Sequence, residues 1–351
     1  MLIVYLARKL THSRLAAFLT PLLWLANPSL VLPMAWTSAY NEIQCTTFLL
    51  TSFALFIRYT ETENKTYLWA QYVTFCLGFG SNELMVVYPG IAAAYVFLFR
   101  REYLRKTTPM FIISAVFAVI HRIVGYPAGG PYSMSFRPTA ILFTFVKYLG
   151  ILFSGFTSGV VFGWSALSEK IWAVALIAVL VGFAIFRALR RDYIALFGLD
   201  WFAIVLGPFL LLPRHITSYY VMIPAIGAAI AAAYALAYVY ERSRGLTVAA
   251  TLAAGVYLLL SSVTTYRQME WHFNRASRAH AFVDSVVEAK RQHPGNLVLL
   301  DNIDDQLFWA AVYDLPFRRI FSWRDVLLTP RKSRPNSRSQ LSGFSRWLLL
   351  P

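Results

Sequence analysis

Several short stretches of this sequence carry side chains that could do chemistry, and each interrupts a strongly apolar run. They are Asn41-Glu42, Ser81-Asn82-Glu83, His121-Arg122, Arg137, and Arg214-His215 followed by Tyr219 and Tyr220. Arginine presents a planar fork of donors that matches phosphate oxygens. Tyrosine can hydrogen-bond at one end while its ring faces lipid. A carboxylate can orient a hydroxyl, hold a metal ion or pair with an arginine. Arg214, Arg137, His215, Tyr219, Tyr220, Glu83 and Arg122 are therefore the candidates for holding a phosphate or a substrate at a lipid surface.

Each candidate also has a plainer reading. Glu83 could cap a helix or balance Arg122. Glu42 stands just ahead of an apolar helix, where an acid favours the helix dipole. Arg214-His215 reads equally as a short basic turn, His121 as a satisfied interfacial histidine, and Tyr219-Tyr220 as part of an aromatic belt.

The composition says what must position these residues. The chain has 351 residues, 58% of them hydrophobic and 14% charged, against about 25% charged in soluble domains. A soluble domain would have too little polar surface to cover such a core. The sequence therefore predicts an all-α polytopic membrane protein. The net charge of +15 does not point to nucleic acid. The basic residues stand in short clusters between apolar runs, such as Arg100-Arg101 and Arg190-Arg191, where they anchor helices beside anionic lipid. Cys45 and Cys76 both lie in apolar runs and read as packed free thiols. No His/Cys/Asp/Glu spacing marks a metal site.

About ten hydrophobic segments follow one another: 15–33, 43–59, 67–79, 84–99, 108–125, 140–163, 171–188, 194–212, 216–239 and 246–263. The Pro/Gly-rich stretch 126–139 reads as a loop. A membrane domain is expected over 1–264 and a small extramembrane α/β domain over 265–351. In the latter, 276–291 has the pattern of an amphipathic helix and 297–301 that of a buried strand, with a loop and a further helix expected after it. Residues 331–338 form a basic tail.

Basic clusters favour the cytoplasmic side. That rule puts Arg8-Lys9-Arg14 and Arg100 to Lys106 inside, and 34–42, 80–83 and 126–139 outside. Simple alternation would then put Arg190-Arg191 outside, against the rule. A fold-back of 140–170 toward the outer face removes the conflict: Arg190-Arg191 and Arg242 return inside, and Arg214-His215 and the C-terminal domain lie outside.

The order of these pieces resembles the GT-C membrane glycosyltransferases, the enzymes that use polyprenyl- or dolichyl-phosphate sugars. The protein O-mannosyltransferase group and its tetratricopeptide-bearing relatives are the nearest in pattern. Asn27-Pro28 stands where the family has His-Pro, and Asn41-Glu42 where it has a later acidic pair, with Tyr40 in place of a common Arg. Ser81-Asn82-Glu83 with Pro89 is similar to a Ser-Lys-Glu element followed by Pro, Asn82 replacing Lys. Arg137, Thr139 and Tyr148 resemble an outer arginine ahead of a Tyr-bearing helix. Arg214, Tyr219, Tyr220, Pro224 and Gly227 resemble an Arg-Tyr-Leu-Tyr-Leu-Pro-x-x-Gly element with altered arginine spacing. The likeness spans residues 20 to about 230.

The resemblance implies a GT-C-like helix bundle in a bacterial inner membrane, with its site facing the extracytoplasmic side. It implies a polyprenyl-phosphate-sugar donor, a protein or glycan acceptor, membrane lipid around the donor tail, and no nucleic acid. It allows a divalent metal ion as cofactor. The family carries acidic residues in its first outer loop, one of them the expected general base, whereas nothing acidic precedes Glu42 here. The catalytic acid is thus expected upstream of the matched region, or the copy is truncated or inactive. Glu83 and Glu42 remain supporting candidates. Other readings stay open: an O-antigen ligase or polymerase-like envelope enzyme, which would carry a large late loop with Arg and His; a transporter, which would show internal repeats; and a non-enzymatic membrane protein.

Overall fold

A computed structural model describes residues 1–124, 132–153, 166–242, 244–301, 303–304, 307–312, 323 and 326–328. Its contacts divide the chain into two units, 1–269 and 270–351. The composition changes at Thr264, and the division falls at Met269.

The first unit is built of helices. They are α1 (Leu2–Thr11), α2 (Arg14–Leu25), α3 (Val31–Ala35), α4 (Tyr40–Thr62), α5 (Lys65–Gly78), α6 (Tyr88–Phe99), α7 (Thr108–Val124), α8 (Pro138–Leu152), α9 (Ala166–Ala188), α10 (Ile194–Leu210), α11 (Pro224–Tyr240) and α12 (Arg244–Gln292). Short 3-10 turns at Pro28–Leu30, Glu83–Val87, Arg101–Thr107 and Ser218–Val221 link several of them. Local chemistry sets many boundaries. The Ser13 and Asn64 side chains accept the backbone N–H of Ala16 and Thr66, capping α2 and α5. His12 and Glu63 end α1 and α4 in the left-handed conformation, each with φ 55°.

α4 is the buried axis of this unit. Cys45, Leu49, Phe53 and Phe56 fall on one helical face and are wholly buried. Phe53 stacks on Phe197 at 5.6 Å and meets Trp201 edge-on at 5.4 Å. α10 and α11 cross where both lack a Cβ: one built on Gly227 would lie 2.4 Å from the Gly198 carbonyl oxygen. That crossing holds Trp201 in place, and its Nε1 donates to the Ile223 carbonyl at 3.1 Å.

Among the described residues, three helices are long and apolar enough to cross a membrane: Arg101–Val124, Ile171–Ala188 and Arg244–Gln292. A fourth results if α2 and the Pro28–Ala35 pair, bent by 56°, count as one broken span. α7 exposes Ile112, Val116, Val119 and Ile120, and α9 exposes Ile171, Val179 and Ile185. Such faces suit lipid and not water. The structure thus gives a mostly helical protein with helices able to span a membrane, fewer than the ten expected segments. The helices over 83–99, 138–152, 194–210 and 224–240 have 17 residues or fewer, against about 20 for a full crossing. α4 and α5 are not among the helices that qualify. Cys45 is buried as expected, whereas Cys76 is exposed.

The unit has two chemically distinct ends. At one, Lys9 pairs with Glu61 at 2.9 Å and the Tyr103 hydroxyl donates to Glu63 at 2.8 Å, gathering the turns after α1, α4 and α6. α2 and α11 run antiparallel: Trp24 Nε1 donates to the Met222 carbonyl at 2.8 Å, while Ala16 packs with Ala233 and Ala237. The end of α11 therefore lies beside the start of α2, and Arg187 reaches Tyr234 there. The basic residues of 8–14, 58–65, 100–106, 187–191 and 242–244 collect at this end.

The opposite end holds the turns around 26–42, 79–83, 132–137 and 211–223. Its ties are the Ser135 N–H to the Leu211 carbonyl at 2.8 Å, Trp36 against Tyr219 at 6.4 Å, and the Thr265 hydroxyl to the Ala26 carbonyl at 3.1 Å. α8 is bound to this end at both of its termini. Ser135 precedes it there, and its last residue, Leu152, accepts a hydrogen bond from Asn27 Nδ2 at 2.7 Å. Of the expected segment 140–163, the part beyond 153 lies outside the described residues. Arg190-Arg191 lies at the basic end, next to the Arg187–Tyr234 contact.

The second unit contains the rest of α12 and two parallel strands, β1 (Val298–Leu300) and β2 (Val326–Leu328), with Val298 opposite Val326. The expected helix over 276–291 is the last part of α12. Val286, Leu300, Ala311 and Val312 form a small core. The helix expected after the strand is a single π-helical turn, Phe308–Val312, among the described residues. The basic tail 331–338 lies outside them.

Candidate functional site

Two of the candidate acidic stretches meet. Glu42 lies in the first turn of α4, ahead of the apolar stretch 43–59, and is buried at 4% exposure. Asn82 holds it there: its Nδ2 donates to Glu42 Oε1 at 3.1 Å, while its Oδ1 accepts the Leu84 N–H at 2.8 Å. One asparagine thus caps the Glu83–Val87 turn and anchors the carboxylate of another helix. Burial pushes the Glu42 carboxyl up to about 7; the Asn82 hydrogen bond pulls it down and the nearby Glu83 charge adds to the rise. Glu83 itself is exposed. α7 packs against its turn, yet Glu83 makes no ion pair with Arg122 among the described residues.

The second cluster surrounds the turn from Arg214 to Val221. The His215 ring lies 4.4 Å from Tyr132 and 5.7 Å from Tyr220. Tyr219 and Tyr220 meet edge to face at 4.6 Å, Phe209 stacks on Tyr220 at 3.9 Å, and Trp36 flanks Tyr219. His215 Nε2, Thr217 Oγ1 and the Tyr148 hydroxyl are buried here without a hydrogen-bond partner among the described residues. Tyr148 faces the Thr217 backbone without a well-formed bond. Burial pushes the His215 imidazole below its ordinary pKa, toward the neutral form. Each orphan buried polar group costs about 1–3 kcal/mol, so several in one corner mark a place where a polar ligand or water would be bound.

The two clusters share a connecting segment. Trp36 touches Tyr219, and six residues later Glu42 touches Asn82; even fully extended, that distance is about 20 Å. Arg137 and Arg214 stand exposed at this same end. Arg122 is exposed near the end of α7. Among the described residues none of the three arginines pairs with a carboxylate.

A resident divalent ion does not fit this donor set. Glu42 is buried and engaged by Asn82, and among the described residues no group of three His, Cys, Asp or Glu side chains could hold a metal. A surface depression of about 490 Å³ lies in the second unit, lined in part by Lys290, Arg291 and Trp323, and none of the candidate residues borders it.

Sequence reasoning missed one polar knot at the basic end. Asp192 accepts from Arg187 and from the Tyr234 hydroxyl, and Arg187 Nη2 also donates to the Tyr234 oxygen at 2.9 Å. The Arg-Ala-Leu-Arg-Arg-Asp run of 187–192 hints at a charged turn, but nothing local points to Tyr234. Comparison with protein-family models, curated proteins and solved structures gives no match for this chain.

Proposed function

We propose that this protein is a membrane transferase that moves a sugar from a polyprenyl phosphate to an acceptor hydroxyl on the extracytoplasmic side. The observation that carries the reading is that an acidic corner (Glu42, Asn82, Glu83) and an Arg-His-Tyr-Tyr turn lie at the same end of the bundle, opposite the basic residues and joined by the segment from Trp36 to Glu42. Basic loops face the cytoplasm, so this end faces away from it. The resemblance of the same stretches to GT-C enzymes points the same way.

In this reading the acceptor oxygen attacks the anomeric carbon, the bond from that carbon to the phosphate oxygen breaks, and configuration inverts. The acceptor proton passes to a carboxylate. Among the described residues Glu83 is an exposed acid at this end and the supporting candidate to meet the acceptor, the family's general base being expected upstream; Glu42 positions the Glu83 turn through Asn82. Arg214, with Arg137, holds the leaving lipid phosphate and stabilises its growing charge. Tyr219 and Tyr220 form the aromatic wall, and neutral His215 supplies a hydrogen-bonding edge.

The test uses the full chain in liposomes with a labelled polyprenyl-phosphate sugar. Arg214→Ala is expected to weaken donor retention at least tenfold. Glu83→Gln should leave retention intact while lowering transfer. Donor retention that ignores Arg214, together with no transfer by the parent chain, would favour a non-enzymatic membrane protein.

A further inference from the structure

The basic end holds a concentration of cations that the proposed reaction does not use. Tyr238, near the end of α11, has two guanidinium groups on its ring: Arg187 lies 4.3 Å from the ring centre and Arg242 lies 4.8 Å from it. Arg190 lies 4.4 Å from the centre of Phe186, whose ring is 6.4 Å from that of Tyr238. Like charges this close repel unless an anion sits among them. Asp192 is the carboxylate that enters the cluster, and it is taken by Arg187 and Tyr234. Glu241 adjoins Arg242 in sequence but forms no ion pair among the described residues. Arg190, Arg191 and Arg242 are exposed and form no ion pair among the described residues. Arg191 also holds φ 61°, a left-handed conformation in which glycine would cost less.

The surroundings name the class of anion. The last turn of α9 exposes Ile185 and Phe186, and Leu189 just beyond it is 82% exposed. This apolar strip leads directly to the arginines. A small free anion has no use for such a strip, whereas a diacyl lipid needs both parts: a phosphate for the guanidinium forks and a surface for its chains. We infer that the turn between α9 and α10, together with the end of α11, is a binding site for the headgroup of an anionic phospholipid, with Arg190, Arg191 and Arg242 on its phosphate.

Native mass spectrometry of the full chain, purified and exposed to equal amounts of phosphatidylglycerol and phosphatidylcholine, tests this. The parent chain should retain phosphatidylglycerol selectively. One arginine near an anionic surface is worth a factor of about five, so Arg190→Gln or Arg242→Gln should each lower retention about fivefold and the pair about 25- to 30-fold. The Asp192–Arg187–Tyr234 knot stays intact in these variants, and circular dichroism confirms the fold. Arg100→Gln with Arg101→Gln, at another basic turn that also faces lipid, should lower retention clearly less than the Arg190/Arg242 pair. Equal retention of the two lipids, a double variant that binds like the parent, or equal loss in the Arg100/Arg101 control would overturn the site. Displacement of the lipid by millimolar inorganic phosphate would show that the site takes a free anion instead, and would also overturn it.

Discussion

Gly227→Ala tests how tightly the fold holds the candidate site. The new Cβ would stand 2.4 Å from the Gly198 carbonyl oxygen and 2.8 Å from Trp201 Cβ and Cδ1. Ordinary contact between such atoms is about 3.5 Å, so α10 and α11 must part by about 1 Å. Neither neighbour can yield cheaply, because one is helix backbone and the other is a tryptophan wholly buried against Phe53 and Phe197. Overpacking of this kind costs about 1–3 kcal/mol. A shift of that size would also stretch the Trp201–Ile223 hydrogen bond beyond its present 3.1 Å, adding about 1 kcal/mol. The expected loss is about 2–4 kcal/mol. Unfolding in mixed micelles with rising dodecyl sulfate, followed by tryptophan fluorescence, reads it. Gly182→Ala on α9 is the control, since its added methyl meets nothing within 4 Å; it should gain up to about 1 kcal/mol from helix propensity alone. The Tyr219–Tyr220 turn leads into α11, so donor retention should fall with stability in Gly227→Ala. If this variant unfolds at the same point as Gly182→Ala, the close crossing and the reasoning from it are wrong.

Other consequences follow from single groups. Glu42 binds its proton more tightly in the folded chain, at about 7, than in the unfolded chain, at 4.5. Its protonated form therefore supports folding below the lower value, and that support is lost as pH rises toward 7. Glu42→Gln should stabilise the protein by about 1–3 kcal/mol at pH 8 and by little at pH 4, and parallel unfolding midpoints at the two pH values would contradict this. Asn82→Ala removes both a cap and the donor to Glu42 and should cost about 2 kcal/mol by the same unfolding assay. Tyr148→Phe removes a hydroxyl that has no partner among the described residues. It should leave stability unchanged or raised by up to about 1 kcal/mol while lowering donor retention several-fold; an unaltered retention would take Tyr148 out of the site.

The sequence makes some of this legible for a physical reason. Charge is expensive inside a bilayer, so polar pairs and arginines stand at the ends of apolar runs, and those ends can be read directly. The grouping of Arg190-Arg191 with Arg100-Arg101 was accessible through charge alone. What apolar runs do between their ends was not. α8 has 15 apolar residues, and only the structure shows that its two ends are tied to Leu211 and Asn27. Glu42 reads as an acid favouring a helix start, and its burial could not be read because its partner Asn82 is 40 positions away. The alternative in which Arg122 balances Glu83 forms no ion pair among the described residues: both side chains are exposed.

Asn27 gives the bundle a timetable. Its amide donates to the Leu152 carbonyl, 125 positions away, and at 3.3 Å to the Tyr257 hydroxyl, 230 positions away. A ribosome adds about 5–20 residues per second, so about 10–50 s separate the synthesis of Asn27 from that of its last partner. Its oxygen accepts the Ser29 N–H from the outset, its N–H gains the Leu152 carbonyl about halfway through that interval, and only the Tyr257 hydroxyl comes at the end. The break around Asn27 is therefore completed in two steps, first by the end of α8 and then by the first half of α12.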